Sequence, residues 1–197
     1  MFFNLTPVVK NLVIINVIVF IGQAVTDDVL TYYLALYNVK TEYFRPYQLF
    51  TYMFCHGNFM HIFWNMLLLV FMAPILEEYW GQKRFLLFYI ITGIGAGVFN
   101  MLIVLLFNTG NFLMMTGASG AVYGVMTAFG VIFANMEMRL LFLPISFKAK
   151  YLVMVLGSLT IYSSVMPKQG DNVAHLAHLG GIVIAIILLQ FWRGRGT

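Results

Sequence analysis

Six apolar runs, each bounded by polar or turn residues, divide this chain into predicted membrane-spanning helices. Long stretches of Val, Ile, Leu, Phe and Met with few charges are typical of helices that contact lipid. Several runs are about 17 residues long, short of the roughly 20 that a span usually needs, so we expect some helices to begin below the membrane surface. The predicted spans cover residues 8–24, 61–76, 85–107, 119–135, 151–166 and 174–192.

The composition supports the same class of protein. Hydrophobic residues make up 61% of the 197 residues and charged residues only 9%, with a mean hydropathy of +0.89. Soluble proteins average about 25% charged residues, so we expect an integral membrane protein, all-α and polytopic, with residues 1–197 in one six-helix domain. The first run has no small-residue cleavage site before Asp27, which favours a retained span over a removed signal peptide.

The basic residues predict the orientation of the chain in the bilayer. A net charge of +4 and a pI near 9.2 could indicate nucleic-acid binding, but the basic residues are scattered near the span ends. We therefore expect contact with lipid and not with nucleic acid. With a cytoplasmic N-terminus, eight of the eleven Lys and Arg residues fall inside and three outside. Because cytoplasmic loops are enriched in Lys and Arg, this predicts that both termini are cytoplasmic.

Polar residues in the apolar part of the sequence cluster at one end of alternate spans. In the predicted topology the second, fourth and sixth spans all begin at the outer face. Polar groups inside a membrane are costly and by default mark function, although a single one often only bonds a neighbouring helix. A cluster at one level favours a shared site in the outer half of the membrane. Its members are His56, His61, Asn65, Ser119, His175 and His178.

Ser119 and His178 have the chemistry of a nucleophile and its base. A serine hydroxyl is a weak nucleophile until a base within hydrogen-bond reach takes its proton. Histidine, with an unperturbed pKa of about 6.5, is the usual base. The two residues are far apart in the sequence and can meet only where helices pack closely, which small residues favour. We expect this packing from Gly120 and Gly124 on the fourth span and Gly180 and Gly181 on the sixth.

Amide hydrolysis also needs hydrogen-bond donors for the developing oxyanion. His61 and Asn65 are four positions apart and therefore lie on one face of the second span. Their imidazole and carboxamide N–H groups are suitable donors. The backbone N–H of Ser119, at a helix N-terminus, is a third. His56 falls on a different face and is interpreted as a residue that orders the loop.

No acid completes a Ser-His-Asp triad at this level of the predicted membrane. None of the seven Asp and Glu residues lies in a span near the predicted site, and Asp171 is interpreted as a cap of the sixth helix. We therefore expect a Ser-His dyad. Tyr123, one helical turn beyond Ser119, can supply a ring against which His178 packs.

A metal-dependent site is the alternative chemistry for four histidines and an asparagine. The His-Glu-x-x-His spacing of zinc hydrolases is missing and no carboxylate is near, so we expect no metal and no cofactor. The one cysteine, Cys55, cannot form an internal disulfide and is interpreted as a buried free thiol.

The polar residues belong to three motifs. They are residues 56–66, with His56, His61 and Asn65; residues 117–124, in which Gly117 and Gly120 flank Ser119; and residues 177–181, in which Gly181 follows His178. In this order, on the second, fourth and sixth spans, the motifs resemble those of the rhomboid intramembrane serine proteases, in their minimal six-span bacterial form.

The resemblance implies an intramembrane serine endopeptidase of the bacterial inner membrane. Ser119 would be the nucleophile and His178 the base, and the oxyanion site would comprise His61, Asn65 and the Ser119 amide. Rhomboids cut single-span membrane proteins near the outer face, at small residues in helices that unwind readily. The loop over residues 166–171 resembles the cap that moves for substrate entry. The oligomeric state stays open.

Two alternatives accompany this interpretation. His175 lies three positions before His178, so it is the alternative base. Counting from the glycine pair selects His178, whereas counting from Asp171 selects His175. A catalytically inactive rhomboid-like protein that binds membrane clients is the alternative function, although such relatives usually lack the serine or the histidine.

Overall fold

The fold is known from a computed structural model that describes residues 5–107, 114–139, 146–165 and 175–193. The described part is mostly helical, with two short antiparallel strand pairs. The helices are α1 (Pro7–Val25), α2 (Val29–Leu34), α3 (Gln48–Thr51, continued by a 3₁₀ turn at Tyr52–Phe54), α4 (Phe59–Trp80), α5 (Gln82–Phe107), α6 (Ser119–Ile132), α7 (Ala149–Val165) and α8 (His175–Arg193). The strands are β1 (Leu36–Tyr37), β2 (Met114–Met115), β3 (Glu137–Arg139) and β4 (Ser146–Lys148).

Each predicted span coincides with one helix. Four of them, α1, α4, α5 and α8, are long and apolar enough to cross a membrane, and α6 and α7 are shorter apolar helices. The 14 residues of α6 span about 21 Å at 1.5 Å per residue, less than the roughly 30 Å of a bilayer's hydrocarbon core. A span of this length must therefore have an end below a membrane surface.

The strand pairs modify the all-α prediction. β1 pairs with β2, which places Leu36 opposite Met115 immediately before α6. β3 pairs with β4 between α6 and α7. The predicted fourth span extended to residue 135, but α6 ends at Ile132, and the next described element is β3. Strands of two or three residues are too short to produce a recognisable alternation of polar and apolar positions.

Helix α6 lies at the centre of the bundle. It contacts α4, α5, α7 and α8, and most of its side chains are buried. Gly120 and Gly181 provide the closest contact between α6 and α8, because a methyl group on Gly181 would overlap the Gly120 carbonyl. Gly124 differs from the prediction: its open side faces Thr92 of α5, not α8. Gly180 likewise faces α5, so the glycines serve two helix contacts.

Glu77, near the end of α4, holds the beginning of α1. Its carboxylate accepts the Thr6 hydroxyl at 2.5 Å and the backbone N–H groups of Val8 and Val9 at 3.0 Å each. The first N–H groups of a helix have no partner within the helix, and a negative charge there is favoured by the helix dipole. Because Glu77 is only 2% exposed, it satisfies donors that water reaches poorly.

Replacing Glu77 by alanine should destabilise the bundle by about 2 kcal/mol, because charge-assisted hydrogen bonds are lost and buried donors stay unpaired. Unfolding by sodium dodecyl sulfate in mixed micelles measures this change. Glu78→Ala is the matched control, since Glu78 is an exposed neighbour and surface substitutions usually stay within about 0.5 kcal/mol. Equal losses for the two variants would contradict the capping role.

Candidate active site

Ser119 begins α6 after a glycine in an unusual conformation. Gly117 has φ +122°, a value that side chains disfavour. A β-carbon on Gly117 would lie 2.6 Å from Nε2 of His61 and 3.7 Å from Oγ of Ser119. The bare α-carbon therefore lets the His61 ring lie against this segment. The Gly117 N–H donates to the Tyr52 carbonyl at 3.0 Å, which fixes this segment against the 3₁₀ turn.

The serine hydroxyl contacts the imidazole of His178. Nε2 of His178 lies 2.8 Å from Oγ of Ser119, across the contact between α8 and α6. The His178 ring stacks on Tyr123, with ring centroids 4.4 Å apart and planes 12° apart. Tyr123 thus confines the imidazole to one plane, and the edge of the imidazole faces the serine. This geometry can transfer a proton from the hydroxyl to the ring.

His61 presents a nitrogen to Gly117, two positions before Ser119. Its Nδ1 accepts the Gly57 N–H at 3.4 Å, so in a neutral ring the proton resides on Nε2. Nε2 is the atom beside Gly117. The ring therefore directs an N–H donor toward the segment that precedes Ser119. Asn58 caps α4 by accepting the His61 N–H at 2.8 Å, which sets where this helix begins.

Asn65 lies one turn further along α4, on the same face as His61. Its side-chain amide donates to the His61 carbonyl at 2.8 Å, a bond within its own helix. The side-chain nitrogen carries two hydrogens, and this bond uses one. Asn65 is 5% exposed. Of the three predicted oxyanion groups, the Ser119 amide belongs to the serine itself, His61 lies beside Gly117, and Asn65 bonds the His61 carbonyl.

The Ser119 N–H is oriented for an incoming anion. As the first residue of α6, Ser119 cannot donate within its helix. Within the described ranges it has no backbone acceptor, whereas the preceding Gly117 N–H has one. The partial positive charge at a helix N-terminus favours a negative group at this position.

His56 precedes α4 and contacts the backbone directly before Ser119. It is 2% exposed, and its ring contacts His61 edge to face with centroids 5.0 Å apart. Its Nε2 accepts the Ala118 N–H at a long 3.5 Å. Burial and the adjacent His61 lower the pKa of His56 to about 3. The ring is therefore neutral near neutral pH and acts as an acceptor.

His175 adjoins His178 on α8. Its ring meets that of His178 edge to face, with centroids 5.9 Å apart. Both histidines line a cavity of about 150 Å³ beside the serine helix. The other lining residues are Tyr123, Leu156, Leu159 and Thr160.

Gln23 of α1 belongs to this region but was not among the predicted site residues. It makes hydrogen bonds to both sides of the His56 backbone, with the His56 N–H at 2.9 Å and the carbonyl at 3.2 Å. A glutamine near the end of an apolar span is a costly polar group. A costly polar residue in an apolar span could therefore have pointed to Gln23 from the sequence alone.

Across residues 5–107, 114–139, 146–165 and 175–193 there is no group of three or more His, Cys, Asp or Glu side chains that could hold an ion. Cys55 is free and buried, and burial raises the pKa of its thiol to about 12. The predicted cap over residues 166–171, including Asp171, lies outside the described residues.

Comparison with known proteins decides the family. A family profile described as "Rhomboid domain" matches residues 43–194. The chain belongs to the rhomboid family. It is 27% identical over 158 residues to Rhomboid-like protein 11, chloroplastic, of Arabidopsis thaliana, covering 73% of this chain and 51% of that protein. It is 28% identical over 142 residues to RHOMBOID-like protein 1 of the same plant, covering 72% of this chain and 33% of that protein.

Bacterial rhomboids are also similar to this chain. The Rhomboid protease GlpG of Serratia proteamaculans is 23% identical over 190 residues, covering 96% of this chain and 63% of that protein. This rhomboid chain thus spans between about a third and two thirds of the length of these relatives. The family and the long apolar helices together make it an integral membrane protein.

Proposed function

We propose that this rhomboid is an intramembrane serine endopeptidase that cleaves single-span membrane proteins near the outer membrane face by a Ser-His dyad. The observation that carries the proposal is the 2.8 Å contact between Oγ of Ser119 and Nε2 of His178. A nucleophile and a base within hydrogen-bond distance are what acyl transfer through serine requires. The protease name of the bacterial relatives supports the same reaction class.

The first half of the reaction forms an acyl-enzyme. Nε2 of His178 takes the hydroxyl proton while Oγ of Ser119 attacks the carbonyl carbon of the scissile amide. The carbonyl oxygen becomes the oxyanion of a tetrahedral intermediate. When this collapses, the carbon–nitrogen bond breaks and the protonated His178 gives its proton to the leaving amine. Water then attacks the ester with His178 again as base, releasing the acid and restoring the serine.

The oxyanion would be bound by the Ser119 N–H and the Nε2–H of His61, with the Asn65 amide completing the site. In a well-studied soluble protease, one such donor contributes about 3 to 4 kcal/mol. The donors here belong to two helices, so their spacing depends on how α4 packs against α6. The contact at Gly117 supports this role, since it brings His61 next to the segment that leads into Ser119.

The base would be oriented by packing and not by a carboxylate. In a triad the acid selects the tautomer and orientation of the histidine. In this rhomboid the Tyr123 ring stacks on His178 at 4.4 Å and restricts its rotation. The stacked ring supplies orientation without placing a charge in the membrane, where an unpaired carboxylate is costly.

The membrane arrangement follows from helix length and charge. We propose six spans, with α6 and α7 as the short ones and both termini cytoplasmic in a bacterial inner membrane. The short α6 then begins within the hydrocarbon layer, so Ser119 lies below the outer surface. A substrate helix arriving from the bilayer would have to unwind to expose an amide there. The cavity that His178 shares with α7 adjoins this position.

Labelling with a fluorophosphonate probe tests this proposal. The wild-type protein in micelles should form a covalent adduct on Ser119, and Ser119→Ala should reduce labelling to background, because the probe traps an activated serine hydroxyl. Ser158→Ala is the matched control, since Ser158 is an exposed serine on α7. An inactive client-binding rhomboid would stay unlabelled while folded, and labelling unaffected by Ser119→Ala would refute the assignment.

A further inference from the structure

A buried glutamine links the first helix to the segment that precedes the serine. Gln23, 3% exposed, accepts the His56 N–H at 2.9 Å through Oε1. Its Nε2 donates to the His56 carbonyl at 3.2 Å and to the Thr31 hydroxyl at 2.7 Å. The amide thus bonds the two peptide groups on either side of the His56 α-carbon and connects them to α2. Three bonds from one buried side chain strongly restrict where His56 lies.

His56 in turn contacts the backbone before α6. Its Nε2 accepts the Ala118 N–H at 3.5 Å, and the neighbouring Gly117 N–H donates to the Tyr52 carbonyl at 3.0 Å. The two N–H groups directly preceding Ser119 are therefore both held by residues 52–56. These bonds position the planar peptide that ends at Ala118, and the φ of −70° and ψ of −6° at Ala118 then set the direction of the Ser119 N–H.

We propose that Gln23 and His56 are positioning residues that orient the Ser119 amide and the His61 ring as oxyanion donors. This inference rests on the proposed protease function. Neither side chain touches the substrate: Gln23 acts through His56, and His56 acts through Ala118 and through its ring contact with His61. A displacement of about 1 Å at a reacting group can lower a rate about 100-fold, so a remote support of this kind has a measurable effect.

The protonation state of His56 suits this role. Its ring faces the His61 imidazole, and the nearby Cys55 thiol is buried and neutral. Burial lowers the pKa of His56 to about 3, so Nε2 keeps its lone pair for the Ala118 N–H over the range in which the enzyme would be assayed. Variants of His56 should therefore change the rate at every pH without shifting the pH profile.

Two substitutions at His56 separate positioning from simple packing. Glutamine can place an acceptor at the reach of Nε2, whereas asparagine is one methylene shorter. We expect His56→Asn to slow fluorophosphonate acylation at least about 10-fold, with a lower kcat and an unchanged KM for a transmembrane substrate. His56→Gln should recover most of the rate.

Gln23→Leu should lower the acylation rate and kcat to a similar extent, because it removes the hydrogen bonds to the His56 N–H and carbonyl. Asn16→Leu is the matched control: Asn16 is also a buried amide on α1, and its side chain donates to the Leu12 carbonyl of its own helix. The control should lower the thermal midpoint without a comparable loss of kcat. Two outcomes would overturn the positioning role. One is an equal kcat loss for Gln23→Leu and Asn16→Leu, and the other is an equal kcat loss for His56→Asn and His56→Gln.

Amide exchange distinguishes failure of this inference from failure of the proposed function. If the wild-type protein does not react with the probe, the protease proposal fails. The positioning role of Gln23 and His56 is then tested by deuterium uptake in peptides covering residues 114–119. Uptake should rise in His56→Asn and Gln23→Leu but not in Asn16→Leu. Unchanged uptake in the first two variants would refute the inference whether or not the protein is active.

Discussion

Replacing His178 by alanine should lower the kcat for cleavage of a transmembrane substrate by about 1,000-fold or more. Removing one member of a serine–histidine unit costs nearly as much as removing the whole unit, because the hydroxyl proton then has no acceptor. We propose His178 as that acceptor because its Nε2 lies 2.8 Å from Oγ of Ser119. Cleavage in proteoliposomes measures the loss, and an unchanged thermal midpoint would show that the bundle remains folded.

His175→Ala is the matched control for this experiment. His175 is also an imidazole of α8 that lines the same cavity, and its ring meets that of His178 edge to face. We expect its loss to change kcat by less than about 10-fold, an effect of packing against the base and not of proton transfer. Full cleavage by His178→Ala together with loss of cleavage by His175→Ala would reverse the two assignments.

Replacing Gly181 by alanine should destabilise this rhomboid by about 3 kcal/mol or more and remove its activity. The added methyl group would overlap the Gly120 carbonyl, and a backbone atom cannot rotate away as a side chain can. Overpacking usually costs about 1 to 3 kcal/mol, more when the backbone must shift. Relief requires α8 to move away from α6, which separates Ser119 from His178. Unfolding in mixed micelles and probe labelling measure the two effects.

Gly157→Ala is the control for a helical glycine with space around it. Among the residues that the structure describes, a β-carbon on Gly157 would meet only Ile182, at 4.0 Å. Since glycine is less favourable than alanine inside a helix by about 1 kcal/mol, this variant should be slightly more stable and fully active. If Gly181→Ala retained stability and activity comparable to Gly157→Ala, close approach of α6 and α8 would not be required for the site.

The sequence was a good guide wherever one helix contained the whole signal. The apolar run at residues 8–24 forms α1 over Pro7–Val25. A proline suits the first turn of a helix, and the residues that follow are mostly hydrophobic. The four-residue spacing of His61 and Asn65 placed both on one face of α4. Such features depend on chain neighbours, whose geometry a helix repeats.

Contacts between helices were predicted less well. Gly124 was assigned to the contact with the sixth helix but faces Thr92 of α5. The sequence identifies a small residue without showing which of several neighbours it faces. Gln23 was not predicted as a site residue for a related reason. Its partner, the His56 backbone, is 33 positions away in the chain. Bonds of this kind exist only after the helices have packed.

The sequence by itself determined the membrane class, the helices and the short set of side chains able to do chemistry, because hydrophobic runs and helical periodicity act over a few residues. Only the tertiary structure decided which atoms meet. It placed Nε2 of His178 beside Oγ of Ser119, stacked Tyr123 on that histidine and brought His61 next to Gly117. These contacts join residues of different helices, and their distances depend on packing to within a fraction of an ångström, which no local pattern in the chain encodes.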